Sequence, residues 1–211
     1  MCTMSGAAQP YPTMMSEDPE EAKIELRRAI RAARTERSPR LRVEASALIA
    51  DVVGTIPAVA DAACVASYAA RPTEPGTAVL HERLAARGTR VLLPALGAGL
   101  SRDWAEFAGT DDLQVRAPGR PPEPSTPTLP GDTVREADVV IAPALAVDAS
   151  GVRLGQGGGW YDRALEDVRD GVLIVAVVFP TEIYDAEHPL PREPHDRPVH
   201  AVATPDGWWM L

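Results

Sequence analysis

Lysine is nearly absent from this chain: Lys23 is the only one among 21 basic residues, in a sequence of 211 with two cysteines and 5% aromatic residues. The scarcity has two readings, a compositional bias toward arginine or a position where a compact ammonium is wanted, which a planar guanidinium does not imitate. The cysteines, Cys2 near the start and Cys64 inside an apolar run, show no CxxC spacing and no histidine cluster beside them. That argues against a disulfide framework and against a zinc site, and Cys64 is read as a small packing residue rather than a nucleophile. Basic charge is also short. Thirty acidic residues leave a formal charge of -9, so nucleic acid is not an expected partner, because phosphate contacts along a backbone need clustered Lys and Arg. No apolar run approaches the roughly 20 residues that cross a bilayer, and the first residues lack the basic-then-apolar order of a secretory signal. No membrane partner is expected, and the expected location is cytoplasmic.

Hydrophobic residues at 45% and charged residues at 24% are ordinary for a globular protein, and the length suits one domain around one core. Residues 1–16 read as a flexible tail and 17–211 as a single domain of catalytic size. Ser16-Glu17-Asp18-Pro19 reads as a helix start with a capping hydroxyl, followed by helix to about Thr35. Leu26, Ile30 and Ala33 would share its inner face, and Lys23, Arg27, Arg31 and Arg34 would form a basic stripe. The stripe is either a solvated face or a supply of cations to an anionic ligand. A second helix is expected from Pro39 to about Val53, and a third from Thr77 to Ala86.

Buried strands are expected at Cys64–Ala69, Arg90–Pro94, Asp138–Val147 and Val172–Phe179, with a short one at Ala201–Thr204. The interval from Gly97 to Gly131, rich in Pro, Gly and Asp, predicts a long excursion with a short strand around Trp104–Phe107. Strand, helix and strand in succession predict a three-layer α/β/α architecture with a mostly parallel central sheet.

Four glycines crowd the segment Arg153-Leu154-Gly155-Gln156-Gly157-Gly158-Gly159-Trp160-Tyr161-Asp162-Arg163, between a predicted strand and a predicted helix from Tyr161 to Val168. Glycine loses the most backbone freedom on folding. The segment is therefore either a tight turn or a nest of backbone N–H groups around an anion. It is neither a Walker motif nor the dinucleotide fingerprint. Asp148 and Asp162 would stand near the carboxyl end of a parallel strand, where open α/β sheets bind ligands, and Mg²⁺ is held by one or two carboxylates plus phosphate oxygens. Pro191–Pro198 packs charged residues into a stretch that reads as irregular loop.

The block Ala142–Asp148 followed by Gly151–Arg163 resembles the signature of the 5-formyltetrahydrofolate cyclo-ligase (methenyltetrahydrofolate synthetase) family. The resemblance extends to Lys23–Arg27, Ser67–Thr77, Arg90–Pro94, Gly119–Pro124 and Pro194-His195-Asp196. It implies that family's fold (NagB/RpiA/CoA transferase-like) and an ATP- and Mg²⁺-dependent ligase that converts 5-formyltetrahydrofolate to 5,10-methenyltetrahydrofolate. It implies further that Lys23, Arg27 and the run Arg153, Leu154, Gly155, Gln156, Gly157, Gly158, Gly159, Trp160 and Tyr161 contact ATP, with Arg153 and Tyr161 in the catalytic role. Ala69, Glu74 and Gln156 through Trp160 would meet the reduced folate, and Asp162 and Asp196 would hold Mg²⁺. ATP and a reduced folate are the implied partners of a monomer. The chain departs from the family pattern at Pro75-Gly76, after Glu74, and at Trp160, where the family has tyrosine. A silent nucleotide- or folate-binding relative, or an ATP-dependent enzyme on another carbonyl or amide substrate, are the alternative readings.

Overall fold

The structure, a computed structural model, describes residues 16–97, 101–193 and 196–211. The tail before Ser16 and the pair Pro194-His195 lie outside the described residues. Helix α1 spans Pro19–Glu36 and is capped by Asp18, whose carboxylate accepts from the N–H groups of Glu20 and Glu21. Ser16 is displaced from the expected capping role because its hydroxyl donates to Glu21 instead. Helix α2 (Pro39–Gly54) starts at a Ser38 cap, and a single turn, α3 (Pro57–Ala60), leads into strand β1 (Cys64–Ala66). Helix α4 (Ala78–Ala86) and strand β2 (Arg90–Leu96) follow, with Gly88 at φ 86° making the left-handed reversal between them.

Strands β3 (Arg102–Glu106) and β4 (Thr128–Leu129) come from the long excursion, which the sequence pattern places correctly around Trp104. The ten-residue segment Asp138–Val147 is not one strand. It divides into β5 (Val139–Pro143) and β6 (Ala146–Asp148), in different sheets. Proline has no N–H to extend the ladder, and two residues beyond Pro143 the N–H of Leu145 already donates to Leu154 O. Strand β7 (Arg153–Leu154), helix α5 (Trp160–Ala164), strands β8 (Leu173–Val177), β9 (Ile183–Tyr184), β10 (Ala201–Thr204) and β11 (Gly207–Met210) complete the chain. Helix α5 stops four residues short of expectation, because the N–H groups of Glu166 and Asp167 turn to the third carbonyl back.

The α/β class holds. The main sheet runs β11-β10-β8-β5-β1-β2-β3-β4, with parallel pairing from β10 through β2 and antiparallel pairing at both edges. Helices α2 and α4 pack on each other and reach β10, β11 and β2. A second sheet, β7-β6-β9, has no counterpart in the sequence reading. The apolar interior accordingly forms two clusters where one was expected: the larger surrounds the main sheet, and the smaller joins Leu26 and Ile30 of α1 to Leu145 and to Ala146, Leu154 and Tyr184 of the small sheet. Helix α1 is thus docked on the small sheet, which sets its basic stripe beside the loop that leaves β7.

Candidate active site

The inner face of α1 differs from expectation at one position, and the difference organises the site. Ala33 is exposed, and Arg34, at 2% exposure, points inward in its place. Its guanidinium donates to both carboxylate oxygens of Glu182 and to Ala144 O, each at 2.7 Å. The stripe is not a solvated face. Lys23 is 3% exposed, and its Nζ donates to Glu193 Oε2 at 2.7 Å and Asp196 Oδ2 at 2.6 Å, so these two residues are tied to α1. Arg27 Nε donates to Gly155 O at 3.0 Å. Arg31 reaches Gln156, the next residue of the loop, through three bonds. Burial pushes the Arg31 guanidinium down from its ordinary value, and the neighbouring charges of Arg27 and Arg71 add to the effect. Like charges crowded around one loop favour an anion among them.

Within the loop, Gly157 sits at φ 92° and Gly159 at φ 61°, backbone that side chains rarely adopt. A Cβ on Gly155 would lie 3.0 Å from Arg153 Nη1, whereas one on Gly158 would meet nothing within 4 Å. The loop borders a cavity of about 500 Å³ at the carboxyl ends of β1, β2 and β5, whose lining includes Ala69, Glu74, Arg153, Trp160, Tyr161 and Asp162. This is the location that an open α/β sheet offers a ligand.

Glu74 is joined to the loop directly, for Gln156 Nε2 donates to Glu74 Oε1 at 2.6 Å. Its other oxygen accepts the N–H of Arg71 at 2.8 Å. Trp160 lies edge-on to the buried Trp104 at 4.9 Å between centroids, which fixes one wall. Tyr161 donates its hydroxyl to Ser67 O at 2.8 Å, and burial holds that hydroxyl well above the usual phenol value. Tyr161, for which a catalytic role is expected, thus anchors the loop to the segment after β1 while its ring lines the cavity.

Arg153 is 4% exposed, with Nη1 on Pro143 O at 3.1 Å and Nη2 on Asp162 Oδ1. Leu154, its neighbour on β7, points the opposite way, into the smaller apolar cluster. Any contact of Leu154 with a ligand is limited to its backbone. Asp148 does not face the cavity either: its carboxylate accepts from Ser150, Val152 and Leu190, closing the β6–β7 turn. Among the described residues no three metal-ligating side chains converge. Mg²⁺ bound with phosphate needs only one or two carboxylates. Asp162 fits that requirement, as it lines the cavity and only its Oδ1 is engaged among the described residues. Asp196 stands against Lys23 and is not in the lining.

The family model described as "5-formyltetrahydrofolate cyclo-ligase family" matches residues 19–205. The chain belongs to that family. A 5-formyltetrahydrofolate cyclo-ligase of Mycolicibacterium smegmatis is 42% identical over 147 residues, 67% of this chain and 73% of that protein. The cyclo-ligase of Escherichia coli K12 is 30% identical over 85% of this chain and 98% of its own. Among solved structures, the NMR structure of the Aquifex aeolicus 5,10-methenyltetrahydrofolate synthetase superposes with a TM-score of 0.74 at 26% identity, covering 90% of this chain and 92% of that one.

Membership in the cyclo-ligase family gives the cavity its frame, and it also marks what sequence reasoning missed. Arg71 and Arg120 line the cavity although neither was singled out. Arg71 carried one signal, three residues before Glu74 in a Pro-containing turn. Arg120 carried one as well, since it lies in the Gly119–Pro124 stretch that resembles the family pattern. Arg31 was visible only as one member of the stripe.

Proposed function

We propose that this cyclo-ligase family member uses ATP and Mg²⁺ to convert 5-formyltetrahydrofolate to 5,10-methenyltetrahydrofolate, releasing ADP and phosphate. The formyl oxygen attacks the γ-phosphorus, and the bond from that phosphorus to the β–γ bridging oxygen breaks. N10 then adds to the activated formyl carbon and loses its proton. That addition closes the five-membered ring, and breaking of the carbon–oxygen bond then expels phosphate and leaves the N5–C–N10 amidinium of the methenyl product. Phosphoryl transfer of this kind is accelerated mainly by positioning and by neutralising charge.

The observation that carries the proposal is the Gln156–Glu74 bond, which joins a cation-flanked glycine loop to an acceptor in the adjoining cavity. Lys23, Arg27, Arg153 and the N–H groups of Gly155–Gly159 hold the nucleotide phosphates in this reading. Glu74 accepts from the N–H donors of the pterin, Ala69 packs beside it, and Trp160 and Tyr161 wall the reacting end from water. Asp162, with Asp196, would hold the metal, which supplies neutralisation of phosphate charge when bound. In the structure each of these carboxylates is paired with a cation of the proposed nucleotide site, Asp162 with Arg153 and Asp196 with Lys23. Phosphate and metal together would replace both pairs without stranding a charge. We further propose that the described domain acts as a cytoplasmic monomer.

The purified protein given 5-formyltetrahydrofolate should gain the near-ultraviolet absorbance of the methenyl product only when ATP and a divalent cation are both present. Absence of product at saturating substrate would refute the proposal.

A further inference from the structure

The Gln156 side chain is held between two groups of opposite hydrogen-bonding character, and that decides which way its amide points. Arg31 can only donate, so it must meet the amide oxygen: Nε and Nη2 reach Gln156 Oε1 at 3.1 and 3.0 Å, and Nη2 also reaches the backbone oxygen of Gln156 at 2.7 Å. Glu74 as a carboxylate can only accept, so it must meet the amide nitrogen, at 2.6 Å. With both partners present only one of the two amide orientations satisfies them. The result is a chain from α1, through the glycine loop, to an acceptor on the turn after β1.

The chain is directional in cause. Glu74 is 7% exposed and is fixed at its other oxygen by the Arg71 N–H, so the Gln156 bond is the contact that locks its remaining freedom. Gln156 in turn sits between Gly155 and Gly157, whose backbones offer little restraint of their own. Arg31 supplies the restraint by gripping side chain and backbone of Gln156 at once. A fork is needed for this. A lysine at the same place keeps the charge but cannot present two fixed donors to one oxygen and a third bond to the carbonyl beside it.

We infer that Arg31 is a positioning residue for the second substrate: through Gln156 it orients the Glu74 carboxylate that receives the pterin, and it does so by geometry rather than by neutralising phosphate. The inference rests on the proposed function and adds a residue that this function had not required. It also links the two substrates, because the loop that meets the nucleotide is the loop through which α1 sets the acceptor for the folate.

The test compares Arg31→Ala, Arg31→Lys, Gln156→Glu and Glu74→Ala with the wild type, measuring KM for 5-formyltetrahydrofolate and for ATP separately, with thermal melts to confirm folding. Gln156→Glu keeps an oxygen for Arg31 but faces Glu74 with a second acceptor, so it cuts the chain at its far end. Arg31→Lys, Arg31→Ala and Gln156→Glu should each raise the folate KM about tenfold, the loss of one well-made bond, while moving the ATP KM by less. The double variant Arg31→Ala/Gln156→Glu should be no worse than either single one, since both break the same chain. An Arg31→Lys enzyme that behaves as wild type, or a rise confined to the ATP KM, would overturn the inference and leave the function standing, as would a folate KM raised by Glu74→Ala and untouched at Arg31. A wild type that makes no methenyl product would remove both.

Discussion

Arg34 and Glu182 form a fork-to-fork ion pair with both bonds at 2.7 Å and 2% of each side chain exposed. The pair joins α1 to the turn before β9, and Glu182 Oε2 also accepts the N–H of Phe179 at 2.8 Å, while the guanidinium lies 5.6 Å from the Phe179 ring. Desolvation works against the Arg34 charge, yet the bonds to Glu182 outweigh it and hold the guanidinium above its ordinary value. Arg34 therefore seats α1, and Arg31 and Arg27, one and two turns earlier, inherit their positions from it.

Truncating one member of such a pair leaves the other charged and buried. Arg34→Ala should destabilise the fold by about 3–5 kcal/mol, read as a lower midpoint in urea unfolding. Replacing the pair together, as Arg34→Met with Glu182→Leu, should recover part of that loss, because no charge is then stranded. A single variant as stable as the wild type would mean that the pair does not seat the helix.

The glycine loop offers a comparison in which folding and binding separate. Gly157 is at φ 92°, and a Cβ there would lie 3.5 Å from the Arg27 guanidinium. Gly157→Ala should thus cost about 1–2 kcal/mol of stability. Gly158 is outside the left-handed region and a methyl there meets nothing, so Gly158→Ala should melt with the wild type. If the loop closes on phosphate, that methyl meets the nucleotide instead, and the ATP KM should rise about tenfold or more. Equal ATP KM in Gly158→Ala and wild type would return the loop to the role of a structural turn.

Cys64 tests the packing assignment. Burial pushes its thiol up to about 11 from an ordinary 9.0, so almost no thiolate exists at neutral pH and alkylation requires thiolate. The peptide containing Cys64 should remain unmodified by iodoacetamide at pH 7.5 in the folded protein and be labelled rapidly in denaturant. Fast labelling under native conditions would place the thiol in contact with solvent.

Long apolar runs and the helix with its stripe were legible because their periodicity extends over several turns or pleats: β2, β8 and β10 fall where the pattern puts them. The glycine segment was legible for another reason, since so many residues without Cβ need a cause. The small sheet was not legible. Strands of two residues such as β7 and β9 carry no period, and their existence depends on Pro143 ending one ladder and Leu145 beginning another. Ala33 was misread as inward because an alanine fits either face, whereas the burial of Arg34 depends on Glu182, 148 residues away in sequence. Pairings such as Lys23 with Asp196 and Gln156 with Glu74 belong to the same class. Each residue type suggested chemistry, but only the fold shows which partner it has.

His81 should make stability depend on pH in a definite direction. Its ring is fully buried against Phe107, with centroids 5.4 Å apart, and Nε2 pairs with the Ser67 hydroxyl at 2.8 Å. Burial lowers its value from 6.5 to about 3, against a small opposing effect of Glu82. The folded protein keeps this ring neutral while the unfolded chain binds a proton below pH 6.5, so the contribution is present above 6.5 and is lost as pH falls toward 3. The slope from one such group approaches about 1.4 kcal/mol per pH unit within that window. The carboxylates titrate in the same range, which makes the comparison with His81→Gln the informative one, because glutamine keeps a hydrogen bond for Ser67 and does not titrate. Between pH 6.5 and 4.5 the melting temperature of the wild type should fall more steeply than that of the variant, and the Cε1 proton resonance of His81 should hold its neutral shift throughout. Parallel melting curves, or a His81 resonance that titrates near 6.5, would show that the ring gains a proton in the folded state.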